Sequence, residues 1–313
     1  MSKQKILIVG AGISGLSTAW MIDKSKYDIT IMAAKFSPDI TSNRAAAFWF
    51  PYHIRNDHRG IRWCNESYEA YKAFSHNKDT GVSMQVLTKG LRKGIEDGEK
   101  NWVDFLPEGI SKMLSPQDTS PEYDIVYEVT VPLIETQLFL PWMMHQLKAL
   151  GVAFLQEKID SLSTYTNSYD IVFNCSALGS RMLCNDDTII PVRGQVGLLS
   201  PHQASASFYL DNETPLYIVP RQDAIIIGGT YEENITTDNT EPDTIHRLLE
   251  NAYMVFPALR KLEVIGSWAG LRPVRPTVRV EREHGTNIIH NYGHGGSGFT
   301  LSFGTAKEAV SLI

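Results

Sequence analysis

The first hydrophobic run has no polar alternation. In Lys5-Ile6-Leu7-Ile8-Val9 the four positions after the lysine are apolar in succession, as a parallel strand buried on both faces requires. It stops at Gly10-Ala11-Gly12-Ile13-Ser14-Gly15, after which Leu16, Ala19, Trp20 and Ile22 recur at helical spacing as far as Lys24. A second strand, Asp28 to Met32, follows. Strand, glycine turn, helix and strand in this order make a βαβ unit, the start of a doubly wound sheet.

The pattern then loses its regularity through the aromatic clusters Phe48-Trp49-Phe50 and Tyr68 to Phe74, which read as a different layer. It returns with a helix over Glu135 to Leu150, a strand over Val152 to Leu155 and a buried strand over Asp170 to Cys175. Runs at Gly194 to Leu199, Leu216 to Val219, Ala224 to Ile227 and Glu263 to Gly266 predict a largely antiparallel second sheet, interrupted by a helix over Asp243 to Val255. The chain closes with a strand over Asn287 to Asn291, a glycine loop over Gly293 to Gly298 and a helix over Phe299 to Leu312. A nucleotide domain assembled from both ends of the chain is therefore expected.

Composition narrows the function classes. A formal net charge of −6 over 313 residues leaves no basic footprint, which argues against a nucleic-acid partner. Cys64, Cys175 and Cys184 neither pair by spacing nor form a zinc pattern, so a reducing compartment and no metal are expected. Lys3 and Lys5 before an apolar stretch imitate a signal peptide, but the glycines inside it have a better explanation. No run reaches the ~18 apolar residues of a membrane span. With no organelle address at Leu312-Ile313, the expectation is a cytoplasmic protein without membrane partners.

That better explanation is phosphate binding. Gly10 permits a tight turn, Gly12 lets a pyrophosphate approach the backbone, and Gly15 lets helix and strand pack closely, while the helix N-terminus offers free N–H groups to an anion. The tip of the second strand, Met32-Ala33-Ala34-Lys35, lacks the acid that grips a ribose. A basic residue there suits NADP as well, so these residues alone leave FAD and NADP open.

Two long blocks at the far end decide between them. Gly270-Leu271-Arg272-Pro273-Val274-Arg275-Pro276, with Arg279 and Glu281-Arg282-Glu283, and His290 through Thr300 resemble D-amino acid oxidases. Ala45 to Tyr52, Asn174-Cys175-Ser176, Arg193-Gly194-Gln195, Tyr217 to Pro220 and Gly228-Gly229-Thr230 match in the family's order. The resemblance implies an α/β fold with a Rossmann-like FAD-binding domain (residues 1–50, 133–192 and 286–313) interleaved with a mixed, mainly antiparallel substrate domain (51–132 and 193–285). It also implies FAD as cofactor, a D-amino acid and O2 as small-molecule partners, and a homodimer.

The same resemblance carries the site. Arg272 would bind the substrate carboxylate, its planar fork suiting two oxygens; Tyr217 would be the second donor, and the Gly296 carbonyl would accept from the substrate amine. Tyr52 and Ser297 complete the substrate set. Gly10, Ala11, Gly12, Ile13, Ser14, Gly15, Lys35, Thr41, Ser42, Ala47, Phe48, Trp49, Ile159, Cys175, Ser176, Gly295, Gly296, Gly298, Phe299 and Thr300 fall at cofactor positions. The helix opened by Gly298-Phe299-Thr300 would turn its positive end to the flavin edge that gains charge on reduction. Hydride transfer from the α-carbon to flavin N5 then needs no protein base, and O2 would become hydrogen peroxide. His290 and His294, separated by glycines and lacking a third ligand, read as structural.

The chain departs from the family at Ala34, where an acid is usual, at Phe50 for a glutamine, at Ser297 for a tyrosine, and in the short segment 210–215 before Tyr217. Asp211 and Glu213 in that segment favour a cationic side chain only if they face the pocket, and solvent is the expectation. D-aspartate oxidase, glycine oxidase, a dehydrogenase with another electron acceptor and a flavin protein without turnover are the alternatives.

Overall fold

The computed structural model describes residues 3–94, 102–115, 117, 119, 121, 123–201, 209–211 and 216–313. The predicted βαβ unit is β1 (Gln4–Val9), α1 (Ile13–Met21) and β2 (Tyr27–Ala33), with β1 and β2 parallel and paired from Gln4↔Tyr27 to Val9↔Met32. On the other side of β1 lies β7 (Ile171–Asn174), and beyond it β14 (Ile288–His294), both parallel; β6 (Ala153–Gln156) flanks β2. Strands from the beginning, middle and end of the chain thus form one parallel block. Ile6, Leu7, Ile8, Val172, Phe173 and Ile289 are completely buried, which explains their unbroken apolar runs.

Helix α3 (Thr136–Ala149) leads into β6, the short α4 (Ser180–Leu183) comes after β7, and α6 (Gly298–Val310) follows β14 and packs on both α1 and α2 (His58–Phe74). Gly304 makes that last packing close: a Cβ there would sit 2.3 Å from the Trp63 Cα. The remaining strands are β3 (Val82–Arg92), β4 (Ser111–Met113), β5 (Tyr123–Ile134), β8 (Ile190–Leu199), β9 (Tyr209–Asp211), β10 (Tyr217–Pro220), β11 (Ile225–Gly228), β12 (Glu232–Glu233) and β13 (Val264–Arg282); α5 (Pro242–Val255) lies against β8.

Two expectations change in detail. The strand beginning near Glu263 extends to Arg282, and it joins both halves into one sheet in the order β4-β5-β3-β9-β10-β11-β8-β13-β14-β7-β1-β2-β6. β13 pairs antiparallel with β8 at one end and with β14 at the other, with a register shift between Val274 and Arg279. Pro273 and Pro276 obscured that continuity, because proline is rare inside a central strand. The last parallel strand also runs on through Gly293 and His294, leaving a shorter glycine turn before α6 than the sequence suggests. No helix among the described residues is long and apolar enough to cross a membrane.

Candidate active site

The glycine turn is built as its spacing demands. Gly10 has φ +109 and a Cβ on it would lie 2.3 Å from the Cys175 carbonyl oxygen, while one on Gly15 would lie 2.0 Å from the Gly10 carbonyl oxygen. These two glycines are needed for the fold itself. Gly12 is different: its φ is −74, and an added Cβ would approach only the Ser42 hydroxyl, at 3.1 Å. Its openness serves what lies in front of it.

In front of it lies a cavity of about 230 Å³, lined at one end by Gly12, Ile13, Ser14, Thr41, Ser42 and Cys175 and at the other by Phe48, Phe50, Tyr52, Tyr217 and Arg272. Gly295, Gly296, Gly298, Phe299 and Thr300 line it between. Neither α1 nor α6 has a side-chain N-cap, so two positive helix ends open onto one space. Ser42 accepts the Ile13 N–H at 3.0 Å and joins the segment after β2 to the glycine turn.

At the far end, Arg272 on β13 lies flat across Gly194 of β8, where a Cβ would fall 2.3 Å from its Nη2. Nη1 donates to the Thr230 carbonyl at 2.8 Å. Among the described residues no carboxylate lies within the 4.0 Å of an ion pair, so this half-buried cation has no counter-charge of its own. The Tyr217 hydroxyl reaches the same guanidinium, and its ring occupies the space left by Gly228 and Gly229, whose Cβ atoms would meet the hydroxyl at 2.4 and 2.8 Å. Burial holds that hydroxyl above the usual phenol range, with Arg272 pulling the other way. His53, edge-to-face with Tyr52 at 4.3 Å and tilted against Tyr231 at 5.1 Å, is held below the usual imidazole range by burial and then by Arg272.

Several residues act from behind the wall. Thr300 Oγ1 donates to the Phe50 carbonyl at 2.8 Å and accepts the Phe50 N–H at 3.1 Å. The Phe50 ring stacks on Trp102 at 5.4 Å. Ser297, 2% exposed, donates to the Tyr52 carbonyl and accepts the Tyr52 N–H, tying the α6 start to the aromatic wall. The structure does not bring Lys35, Trp49, Ile159 or Ser176 onto the wall. Lys35 is exposed beyond β2, Ile159 packs beside the cluster of Leu7, Val9 and Met32, and Ser176 bonds Asn174. Trp49 points into the core, its Nε1 donating to the Cys64 carbonyl at 3.0 Å.

His290 and His294 are buried in separate places: Asn174 and Cys184 adjoin the first, and the second bonds Thr305 at 3.0 Å. Among the described residues no group of three or more His, Cys, Asp or Glu is arranged to hold a metal. Glu213 lies outside the described residues, as does the side chain of Asp211. Sequence reasoning missed Arg44, Thr230 and Arg221, which shape the cavity from neighbouring elements. The pairing of two glycines with a tyrosine across adjacent strands was the available signal for Thr230, directly after them.

A cavity with a dinucleotide-type glycine turn at one end and, at the other, an arginine without a carboxylate partner among the described residues has the layout expected of a nucleotide-dependent oxidoreductase. Residues 5–312 match the family DAO, FAD dependent oxidoreductase, and the chain belongs to it. It is 33% identical to a D-amino-acid oxidase of Rubrobacter xylanophilus, over 98% of this chain and 95% of that protein. It is 31% identical to a D-aspartate oxidase of Homo sapiens, over 100% of this chain and 95% of that protein. A glycine oxidase from Bacillus cereus shares the fold with a TM-score of 0.79 at 18% identity, covering 99% of this chain and 94% of that one. The cofactor is FAD, and the residues present fit it: the open side of Gly12 and the starts of α1 and α6, neither capped by its own N-cap side chain, form a cradle that larger side chains would fill.

Proposed function

We propose that the protein oxidises D-amino acids to 2-oxo acids and ammonia, with O2 as the electron acceptor and H2O2 as its product. The observation that carries this reading is Arg272, a half-buried guanidinium with no carboxylate partner among the described residues, facing the same cavity as the dinucleotide turn. An unpaired cation in such a place is offset when an anionic ligand arrives. Arg272 binds the substrate carboxylate through its fork and the Tyr217 hydroxyl donates to the same group. The Gly296 carbonyl accepts from the amine, and the rings of Phe48, Phe50 and Tyr52 keep water from the α-carbon.

FAD, when bound, would supply the acceptor for the hydride that leaves the α-carbon. The chain's part is orientation: carboxylate and amine fixed at two points select which face of the α-carbon is presented, and hence the D form. No proton-abstracting side chain is required. His294, the wall's imidazole, is bonded through Nε2 to Thr305 and held down at about 4 by burial, so it stays neutral and occupied. The imino acid hydrolyses after release.

Thr41, Ser42 and residues 10–15 hold the pyrophosphate and ribose; Ala47 and Phe48, backed by Trp49, hold the flavin together with Gly295 to Thr300; Cys175 flanks the adenosine, with Ser176, Ile159 and Lys35 outside the cavity wall. The division into 1–50, 133–192 and 286–313 against 51–132 and 193–285 is supported by the parallel block, whose five strands all fall in the first set. We place the protein in the cytoplasm, as a homodimer. The curated D-aspartate oxidase relative supports a second reading, with acidic substrates.

The test is an anaerobic visible spectrum before and after D-alanine, then L-alanine, then air. Bleaching by the D isomer alone, reversed by air with peroxide released, is expected. Bleaching by D-aspartate but not D-alanine establishes the second reading, and a flavin band that no D-amino acid bleaches overturns both.

A further inference from the structure

The cavity wall from Asn43 to Ala47 is a stretch of backbone without secondary structure beyond Arg44, yet each of its carbonyl oxygens is held from outside. Thr136 Oγ1 donates to the Asn43 carbonyl at 3.2 Å, and Trp268 Nε1 to that of Arg44 at 3.0 Å. Arg221 Nη1 donates to those of Ala45 and Ala46 at 3.4 and 3.1 Å, and the Ile134 N–H to that of Ala47 at 2.9 Å. Four different elements draw these oxygens away from the cavity. The peptide N–H of Ala46, on the edge opposite the held Ala45 carbonyl, has no backbone acceptor among the described residues, and Ala46 lines the cavity.

Arg221 is the hub of this arrangement. It directly follows β10, the strand that begins with Tyr217, and it is 5% exposed. Its Nε and Nη2 bind both oxygens of Asp223 at 2.9 and 2.7 Å, Nη2 also bonds Gln137 Oε1, and Glu135 Oε2 lies 3.4 Å from Nε. Glu135 in turn accepts the Gln222 N–H at 2.9 Å. Buried charges are normally retained where every donor is satisfied, and here two of the acceptors are main-chain oxygens of the cavity wall.

We infer that Arg221 is a positioning residue that turns the Ala45–Ala46 peptide so that the Ala46 N–H faces the flavin ring, and that anchors the next carbonyl, that of Ala46, behind the wall. The inference rests on the flavin occupying this cavity as proposed above. It also means that β10 serves the site from both ends, with Tyr217 toward the substrate and Arg221 toward the cofactor wall. Peptide donors aimed at a ring stabilise added negative charge there, so their orientation bears on cofactor affinity and on reduction, not on substrate carboxylate binding.

The test compares holoenzyme and cofactor-stripped wild type with R221K and with the double variant R221M/E135Q. The second substitution removes the Glu135 charge that loss of the guanidinium would leave unpaired, and the amide oxygen it introduces still accepts the Gln222 N–H. Folding is checked by circular dichroism of the stripped proteins. FAD titration by flavin fluorescence and the visible spectrum of the bound flavin are the readouts, followed by kcat and KM for the substrate found above. For R221M/E135Q, FAD affinity falls at least tenfold, the flavin absorption bands shift or lose their fine structure, and kcat falls with KM changed less than threefold. R221K, which keeps a cation with fewer fixed donors, recovers part of both. If R221M/E135Q is not folded, R221K alone decides, with a weaker FAD affinity and an altered flavin spectrum expected. A folded variant with wild-type FAD affinity and spectrum overturns the inference. A wild-type protein that binds no flavin overturns instead the reading on which it rests.

Discussion

Arg221 and Arg272 belong to the same sheet, one at the end of β10 and the other on β13, and the protein treats their charges in opposite ways. Arg221 is surrounded by Asp223, Glu135 and Gln137 and by carbonyl oxygens, all its nitrogens engaged. Arg272 has the Thr230 carbonyl, the Tyr217 hydroxyl and no carboxylate among the described residues. The first is complete within the fold and contributes by holding parts together. The second is left electrostatically incomplete, and its partner must come from outside. Burial of an arginine therefore says little about its role until its acceptors are counted.

The largest effect that would break this comparison is at Arg272. For R272M, kcat/KM for the D-amino acid substrate should fall by about three orders of magnitude, the cost of losing a charge-assisted, two-point contact. FAD affinity and Tm should stay near wild type or rise, because a desolvated cation has been removed. Steady-state kinetics and thermal melting check this, and a loss of Tm comparable to that of an Arg221 variant would show that Arg272 is structural after all.

R221M alone makes the opposite prediction. Removing one member of a buried charge cluster leaves Glu135 unpaired and should cost about 3–5 kcal/mol of stability, seen as a large drop in Tm. Adding E135Q should restore much of it. Glu135 is already held above the usual carboxylate range by burial, against the pull of Gln137, Gln222 and Arg221, so protonation is its escape when the arginine is gone. R221M should accordingly lose less stability at pH 5 than at pH 8.

Wild-type stability has the opposite slope in acid, set by His290 and His294. Both are held near 4, below the ordinary imidazole value of 6.5, by burial above all. The unfolded chain binds protons at these sites below about pH 6.5 while the native protein binds them only near 4, so stability is lost as pH falls through that window. Each histidine contributes on the order of 3 kcal/mol to the loss. Urea unfolding at pH 7, 5.5 and 4.5 checks it, and H294Q, which keeps a partner for Thr305, should flatten the curve.

How much of this was legible beforehand divides along the same line as the two arginines. The first strand of the parallel block was readable at Ile6 to Val9 because burial on both faces leaves a continuous apolar run, and the glycine turn because Gly10 and Gly15 leave no room for a Cβ. Arg272 carried no local signal; without the long matching blocks it is one more arginine on a strand with prolines. Arg221 carried none either, since its partners Ala45, Thr136, Gln137 and Trp268 are distant in sequence and meet only through the sheet order. The length of β13 was hidden by Pro273 and Pro276, which read as strand breakers, but Pro273 lies opposite Pro191 of β8 and Pro276 falls in the register shift before Arg279.

The smallest effect separates one held carbonyl from the rest. Trp268 donates to the Arg44 oxygen through Nε1, while its ring adjoins the guanidinium groups of both Arg44 and Arg221, at 6.0 and 5.7 Å. W268F keeps an aromatic surface and removes the donor, so it isolates a single neutral hydrogen bond worth about 1 kcal/mol. If the wall segment is fixed mainly by Arg221, W268F should weaken FAD binding about threefold and lower Tm by about 2 °C, with kcat close to wild type. If the carbonyls act as one cooperative set, W268F instead matches R221M/E135Q in its flavin spectrum, and the positioning role belongs to the whole ring of donors, not to the arginine.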